Sequence, residues 1–403
     1  MLLCCARTRI GKGTTQRIRA LAAGELDWER LRSQAKHHRV LPLLYRALYN
    51  TCIDHVPEET MAGLRLDYQV NAAHSLGMAR ELLSVLSLLE ERGIRAMPIK
   101  GPLLGETAYG DLALRQYDDL DILVSHEDVP AAYKLLSKHA FQPGLLGRRS
   151  VQQAFPCGYR QLGLRAPWSN IELDLHWEVL PGDLLHRIDL EGFWRRGLMT
   201  AFCGVRVHAL SHEDTLLLLV MHGMRHAWAR LGWICDLAES LRAWNDVDWE
   251  GLIALVESAG AGKVLAVGLH LVRKLLDPPL PELAAAFAHR YKHAEKMAAV
   301  LFGDICDPSD APSPLRTGLL NLSTRQGLRG KLGYLKAHAL APNWMDWIWL
   351  PLPRGLTFLY AFLRPLRLLT WYVLPIAIRR VARAAPAMAD VGAQSGSGLD
   401  PGC

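Results

Sequence analysis

The segment Asp119-Leu120-Asp121-Ile122-Leu123-Val124 constrains the fold of this 403-residue chain more than any other. Its polar and apolar side chains alternate with a period of two, which belongs to a strand: Asp119 and Asp121 point one way, and Leu120, Ile122 and Val124 face a core. Elements of both kinds flank it. Ile94 to Ile99 reads as a short strand, Pro102 to Tyr109 as a glycine-punctuated helix, Val129 to His139 as a helix, and Ile171 to Trp177 as a further strand.

On either side of this α/β stretch the periodicity is helical. Trp28, Leu31, Ala35, Val40, Leu43, Leu44 and Leu48 recur at mostly helical spacing behind Asp27, a residue suited to cap. A second helix is expected from about Glu58 through Glu91, stopped at Arg92-Gly93. Beyond Ser211 helices are expected over Thr215–Trp228, Leu231–Trp244 and Trp249–Leu276, with Pro278, Pro279 and Pro281 as the stop. The expected fold class is therefore α+β, a small mixed-sheet core flanked by N-terminal helices and a largely helical C-terminal half. The expected divisions are 1–75 (helical), 76–210 (sheet core), 211–300 (helical), 301–390 (rich in Trp, Leu and Arg) and 391–403, a flexible tail containing Ser395-Gly396-Ser397-Gly398.

In Trp347–Leu352 and Leu356–Leu374 the apolar runs are broken by Pro353, Arg354, Arg364, Pro365 and Arg367 before roughly 18 residues accumulate, which argues against a spanning helix. The mixture of aromatics, leucines and arginines over 344–372 suits a peripheral membrane contact or a cover over the helical half, the second being preferred. Forty-six Lys+Arg against 40 Asp+Glu leave a net charge of +6, which falls short of the focused positive field of nucleic-acid binders. Eight cysteines without CxxC pairs, and a first apolar run cut short by Arg7 and Arg9, point to a reducing, cytoplasmic setting.

Two carboxylates on one strand face are what Mg²⁺ asks of a protein in phosphoryl chemistry, with waters and substrate phosphates completing its octahedron. Further on, Glu172-Leu173-Asp174-Leu175-His176 alternates in the same way and places Glu172, Asp174 and His176 together. If that strand neighbours the first, Asp174 can ligand a metal or deprotonate an attacking hydroxyl, with Glu172 as the alternative, while Asp119 and Asp121 bridge two metals. Asp118 is read as a bystander.

Lys100-Gly101, Arg115, Asp119-Leu120-Asp121-Ile122-Leu123-Val124 and Leu173-Asp174-Leu175-His176-Trp177 resemble the motifs of the bacterial uncharacterised nucleotidyltransferase family, a branch of the polymerase-β-type superfamily. Trp28, His38 and Pro42, and later His222, His226, Trp228, Leu231, Trp233 and Asp236, extend the resemblance over most of Leu26 to about Leu269. It implies a nucleotidyltransferase core, an NTP donor, Mg²⁺ at Asp119, Asp121 and Asp174, and transfer of the nucleoside monophosphate, with release of pyrophosphate, to a hydroxyl or similar acceptor the sequence does not name. Lys100-Gly101-Pro102 stands where the wider superfamily offers Gly-Ser or Gly-Gly, so the triphosphate is assigned to Lys100, Gly101 and Arg115, with Arg115 equally readable as a structural ion pair. His176 is read as a packed or hydrogen-bonded histidine, His222 and His226 as packing or a phosphate contact, and Asp236 as bonded to Arg230 or a tryptophan N–H. The rival readings are a non-catalytic module of the same fold, antitoxin-like or regulatory, and a peripheral membrane or scaffolding protein.

Overall fold

The computed structural model describes residues 1–143, 161–166, 168, 171–179, 189–306, 313–340, 346, 349–350 and 352–373. The chain divides into two units, Met1–Ala337 and His338–Cys403. Among the described residues the first is mixed α+β and mostly helical, as its sequence periods require, and carries a five-stranded sheet and a separate two-stranded one.

Four helices lead in: α1 (Leu2–Cys5), α2 (Lys12–Ala22), α3 (Trp28–His37) and α4 (Leu41–Cys52). Asp27 caps α3 by accepting from the Arg30 N–H at 2.8 Å. The expected single lead-in helix is instead two, because Arg39 takes a left-handed φ of 57° and turns the chain between α3 and α4. Next, α5 (Glu58–Glu90) runs to a left-handed Gly93 as its sequence predicts. Its Asn71 and His74, one turn apart, bond the carbonyls of Ala113 (2.8 Å), Arg115 (3.3 Å) and Tyr117 (3.1 Å), so that α5 fixes the loop feeding the central strand.

The sheet and its helices follow: β1 (Ala96–Pro98), α6 (Gly101–Thr107), β2 (Asp119–Val124), α7 (Val129–Lys138), β3 (Gln142–Pro143), β4 (Gln161–Arg165) and β5 (Glu172–His176). The strand order is β1-β2-β5-β4-β3, with β2 and β5 parallel and the other pairs antiparallel. β2 separates two cores. Leu120, Ile122 and Val124 pack under one face with α7 and the end of α5, whereas Leu123 packs on the other face with the helical part. The carboxylate face of β2 is thus covered beyond Asp121, where alternation alone leaves it open to solvent.

Then come α8 (Leu190–Arg196), a β6–β7 hairpin (Leu198–Phe202, Val205–Ala209), α9 (His212–Arg225), α10 (Leu231–Ala243), α11 (Trp249–Ser258) and α12 (Gly262–Leu275). The hairpin and α8 escaped the sequence reading. The helix expected over Trp249–Leu276 is two, divided at a left-handed Gly260. Helices continue through α13 (Glu282–His289), α14 (Lys292–Cys306), α15 (Pro314–Thr324) and α16 (Gly327–Leu340).

In the second unit, α17 (Tyr360–Leu368) buries Arg364 and Arg367, which bond the two oxygens of buried Asp346 at 2.7 and 2.6 Å. Phe358, Phe362, Leu366, Leu369 and Trp371 are exposed. No helix among the described residues is long and apolar enough to cross a membrane. The parts of the expected 301–390 region at 307–312, 341–345, 347–348, 351 and 374–390, and the 391–403 tail, lie outside the described residues.

Candidate active site at the β2–β5 strand pair

The parallel register of β2 and β5 sets Asp119 opposite Glu172 and Asp121 opposite Asp174. The condition on which Asp174 depended, that its strand neighbour the first, is met. Asp121, Asp174 and His176 each offer one ligand atom, all within 4.8 Å of one another. His176 lies beside Asp121 because its Nε2 is 2.8 Å from Asp121 Oδ1, a hydrogen bond that packs the ring against the carboxylates.

The other oxygen of Asp121 meets Lys100 Nζ at 3.2 Å. Lys100 ends the turn after β1, and the next residue, Gly101, has φ 58°, a conformation glycine adopts without the steric cost a side chain incurs. Lys100 Nζ also lies 3.4 Å from His222 Nδ1 on α9, linking the sheet to the helical region. Burial opposes the charge on Asp121, but Lys100 and the His176 bond outweigh it and hold the carboxyl well below the usual range.

Among the described residues no comparable cation pairs with Asp174. Burial, the largest influence, pushes it up to about 6; His176 opposes the rise, and Asp121, Asp119 and Glu172 each add to it. Gln161 Nε2 donates to its Oδ2 at 2.8 Å. Opposite it on β4 sits Gly163, where an added Cβ would meet Asp174 Oδ1 at 3.2 Å, so the glycine keeps room for the carboxylate. Asp119 is also raised, by burial first and by Asp121 second, with Lys100, Arg115 and Arg39 opposing. These carboxylates stand in a site poor in positive charge, with oxygen and imidazole donors converging. That donor set fits a hard divalent cation.

Arg115 lies behind the turn. Its guanidinium holds buried Asp236 of α10 in a fork of 2.7 and 2.9 Å and donates to the Gly101 carbonyl at 3.2 Å. The structural ion pair left open in the sequence is therefore formed. Asp236 is bonded to Arg115 and, at 2.7 Å, to the Tyr109 hydroxyl, rather than to Arg230 or a tryptophan. Glu172 pairs with Arg165 and its side chain is 55% exposed, which turns it from the cluster. Asp118 pairs with Arg39.

A family model of uncharacterised nucleotidyltransferases matches residues 24–277, more than half of the chain. The chain belongs to this family. Neither a curated protein nor a solved structure matches it. In this family member, Asp119, Asp121 and Asp174 lie within the matched region on β2 and β5, and Lys100 and Gly101, at the start of α6 beside them, lie within it too. The sequence reading missed the role of Gly163. Its signal was the glycine at the carboxylate-facing position of the alternating Gln161-Leu162-Gly163-Leu164 run.

Proposed function

We propose that the chain transfers a nucleoside monophosphate from an NTP to a hydroxyl-type acceptor, releasing pyrophosphate. The observation that carries this reading is the convergence of Asp121, Asp174 and His176 on adjacent strands, in a chain of nucleotidyltransferase family. Asp121, Asp174 and Asp119 are the residues that would hold Mg²⁺, which neutralises phosphate charge and stabilises the leaving oxygen in such transfers. Asp174, as an ionised carboxylate facing the cluster, would accept the proton of the acceptor hydroxyl. The acceptor oxygen then forms its bond to the α-phosphorus as the bond to pyrophosphate breaks. His176 orients Asp121, and Arg115 holds the Lys100-Gly101 turn toward the triphosphate through the Gly101 carbonyl.

Calorimetric titration with ATP, GTP, CTP and UTP, with and without Mg²⁺, tests this. Wild type is expected to bind at least one nucleotide only with Mg²⁺, and a folded Asp119→Asn/Asp121→Asn double variant to lose that binding. A folded wild type that binds none of them favours the non-catalytic module. A second, compatible reading, peripheral membrane contact through 344–372, is favoured by exposed Phe362 and Leu366, one turn apart on α17, and by exposed Phe358 in the 3-10 segment before it. Vesicle flotation of the full chain decides it: a chain that never floats sinks that reading.

A further inference from the structure

The Lys100-Gly101-Pro102-Leu103-Leu104 turn contains no hydroxyl, and Arg115 behind it is consumed by Asp236. The protein charge that joins Lys100 and the metal in balancing a polyphosphate must come from elsewhere. α10 presents Arg230 at its cap, then Trp233 and Asp236, spaced three residues apart and therefore along one face. Asp236 anchors the Arg115 fork. Trp233 packs on His222 and His226 of α9, with ring centroids at 5.3 and 5.1 Å, and the Arg230 guanidinium carbon lies 5.8 Å from its ring. His222 in turn touches Lys100. A continuous wall thus runs from the carboxylate cluster outward: Lys100, His222, His226, Trp233, Arg230.

Arg39 closes the wall. It is a non-glycine residue at φ 57° in the turn between α3 and α4. That turn is pinned to the start of α10: the Leu231 N–H donates to His38 Nδ1 at 3.3 Å and the Gly232 N–H to the His38 carbonyl at 2.9 Å. Gly232 permits this approach, since a Cβ there would meet the His38 and Arg39 carbonyl oxygens at 3.0 and 3.2 Å. Because the first N–H groups of α10 are already satisfied, the helix start is not the anion site; the guanidiniums are. Arg39 and Arg230 repel one another, Arg39 depressing the proton affinity of Arg230 after burial has done so, and exposed Asp118 pairs with Arg39. Arg39 is also close enough to Asp119 to favour its ionised form. Because exposed Asp118 offsets only one of the two guanidiniums, the pair keeps a net positive charge suited to an anion.

We infer that Arg39 and Arg230, set on the His222–His226–Trp233 wall, bind the β- and γ-phosphates of the NTP donor and hold the departing pyrophosphate. The inference rests on the nucleotidyl-transfer reading and adds to it the source of triphosphate recognition. The ligand class is a polyphosphate, without regard to the base.

The test is titration of the full chain, with Mg²⁺, using inorganic tripolyphosphate, the four NTPs and their monophosphates. Wild type is expected to prefer the triphosphate to the monophosphate. The Arg39→Ala/Arg230→Ala variant is expected to bind triphosphate and tripolyphosphate at least about tenfold more weakly and the monophosphate unchanged; Arg39→Lys/Arg230→Lys should recover part of the loss. Should the double alanine variant fail to fold, Arg230→Gln alone carries the comparison, with a severalfold loss expected. A folded variant that keeps the wild-type preference for triphosphate overturns the inference while leaving nucleotidyl transfer standing. A wild type that binds no NTP overturns the broader reading and the inference with it.

Discussion

A buried aspartate, Asp236, and a cluster of three others, Asp119, Asp121 and Asp174, lie on either side of the Lys100-Gly101 turn, and the protein treats them oppositely. Behind the turn, Asp236 receives the fork of Arg115 and the Tyr109 hydroxyl, so its charge is matched oxygen by oxygen. In front of it, Asp119, Asp121 and Asp174 crowd one sheet face, with Lys100 the one Lys or Arg in contact among the described residues, and two of the three are pushed toward the protonated form. A satisfied pair supports the structure. A cluster left short of positive charge stores unfavourable electrostatic energy that a bound cation relieves, and this separates a site from a strut.

The comparison breaks most visibly at Asp121. Asp121→Asn should lower nucleotidyl transfer on the order of 10³-fold, equivalent to about 4 kcal/mol of transition-state stabilisation, measured as pyrophosphate release once an acceptor is in hand. Asp236→Leu should do the reverse kind of damage: leaving Arg115 buried without its partner costs about 3–5 kcal/mol of stability in urea unfolding. Adding Arg115→Met should restore much of that loss, and a double variant no more stable than the single one would show that the pair is not the unit.

Asp174 sharpens the contrast, because removing its charge should help the fold and hurt the function. Its folded pKa is raised from 3.8 to about 6, so the folded chain holds a proton more tightly than the unfolded one. Stability from this group is therefore lost as pH rises between those values and stays lost above about 6. Asp174→Asn should then stabilise the metal-free protein at pH 7.5 by about 1–3 kcal/mol, seen as a higher melting temperature, while transfer falls. In the wild type, Mg²⁺ binding should weaken about tenfold for each pH unit below 6, because the metal must displace that proton; a flat calorimetric profile from pH 5 to 7 would remove Asp174 from the ligand set. The smallest effect is expected at Asp118, 72% exposed, where Asp118→Asn should change stability by no more than about 0.5 kcal/mol.

Much of this was legible along the chain because it depends on local periods. The Asp-x-Asp strand, the capping of α3 by Asp27 and the stop of α5 before Gly93 each follow from residues within one or two turns of the feature. The β6–β7 hairpin was not legible, since Leu198-Met199-Thr200-Ala201-Phe202 has no clean alternation of polar and apolar residues. The breaks at Arg39 and Gly260 were also missed, because one left-handed residue inside a helical period alters the path without altering the pattern.

By itself the sequence determined which residues share a face, and so that Asp119 and Asp121, and separately Asp174 and His176, would each stand together. Only the tertiary structure decided that these two faces meet in parallel register, that Gly163 leaves room for Asp174, that Arg115 belongs to Asp236, and that Arg39 and Arg230 gather at one wall. The physical reason is that periodicity fixes directions within an element, whereas the partner of a charge depends on which elements pack together. For Arg115 and Asp236, 121 residues apart in the chain, that choice is made by the burial of α10 against the turn.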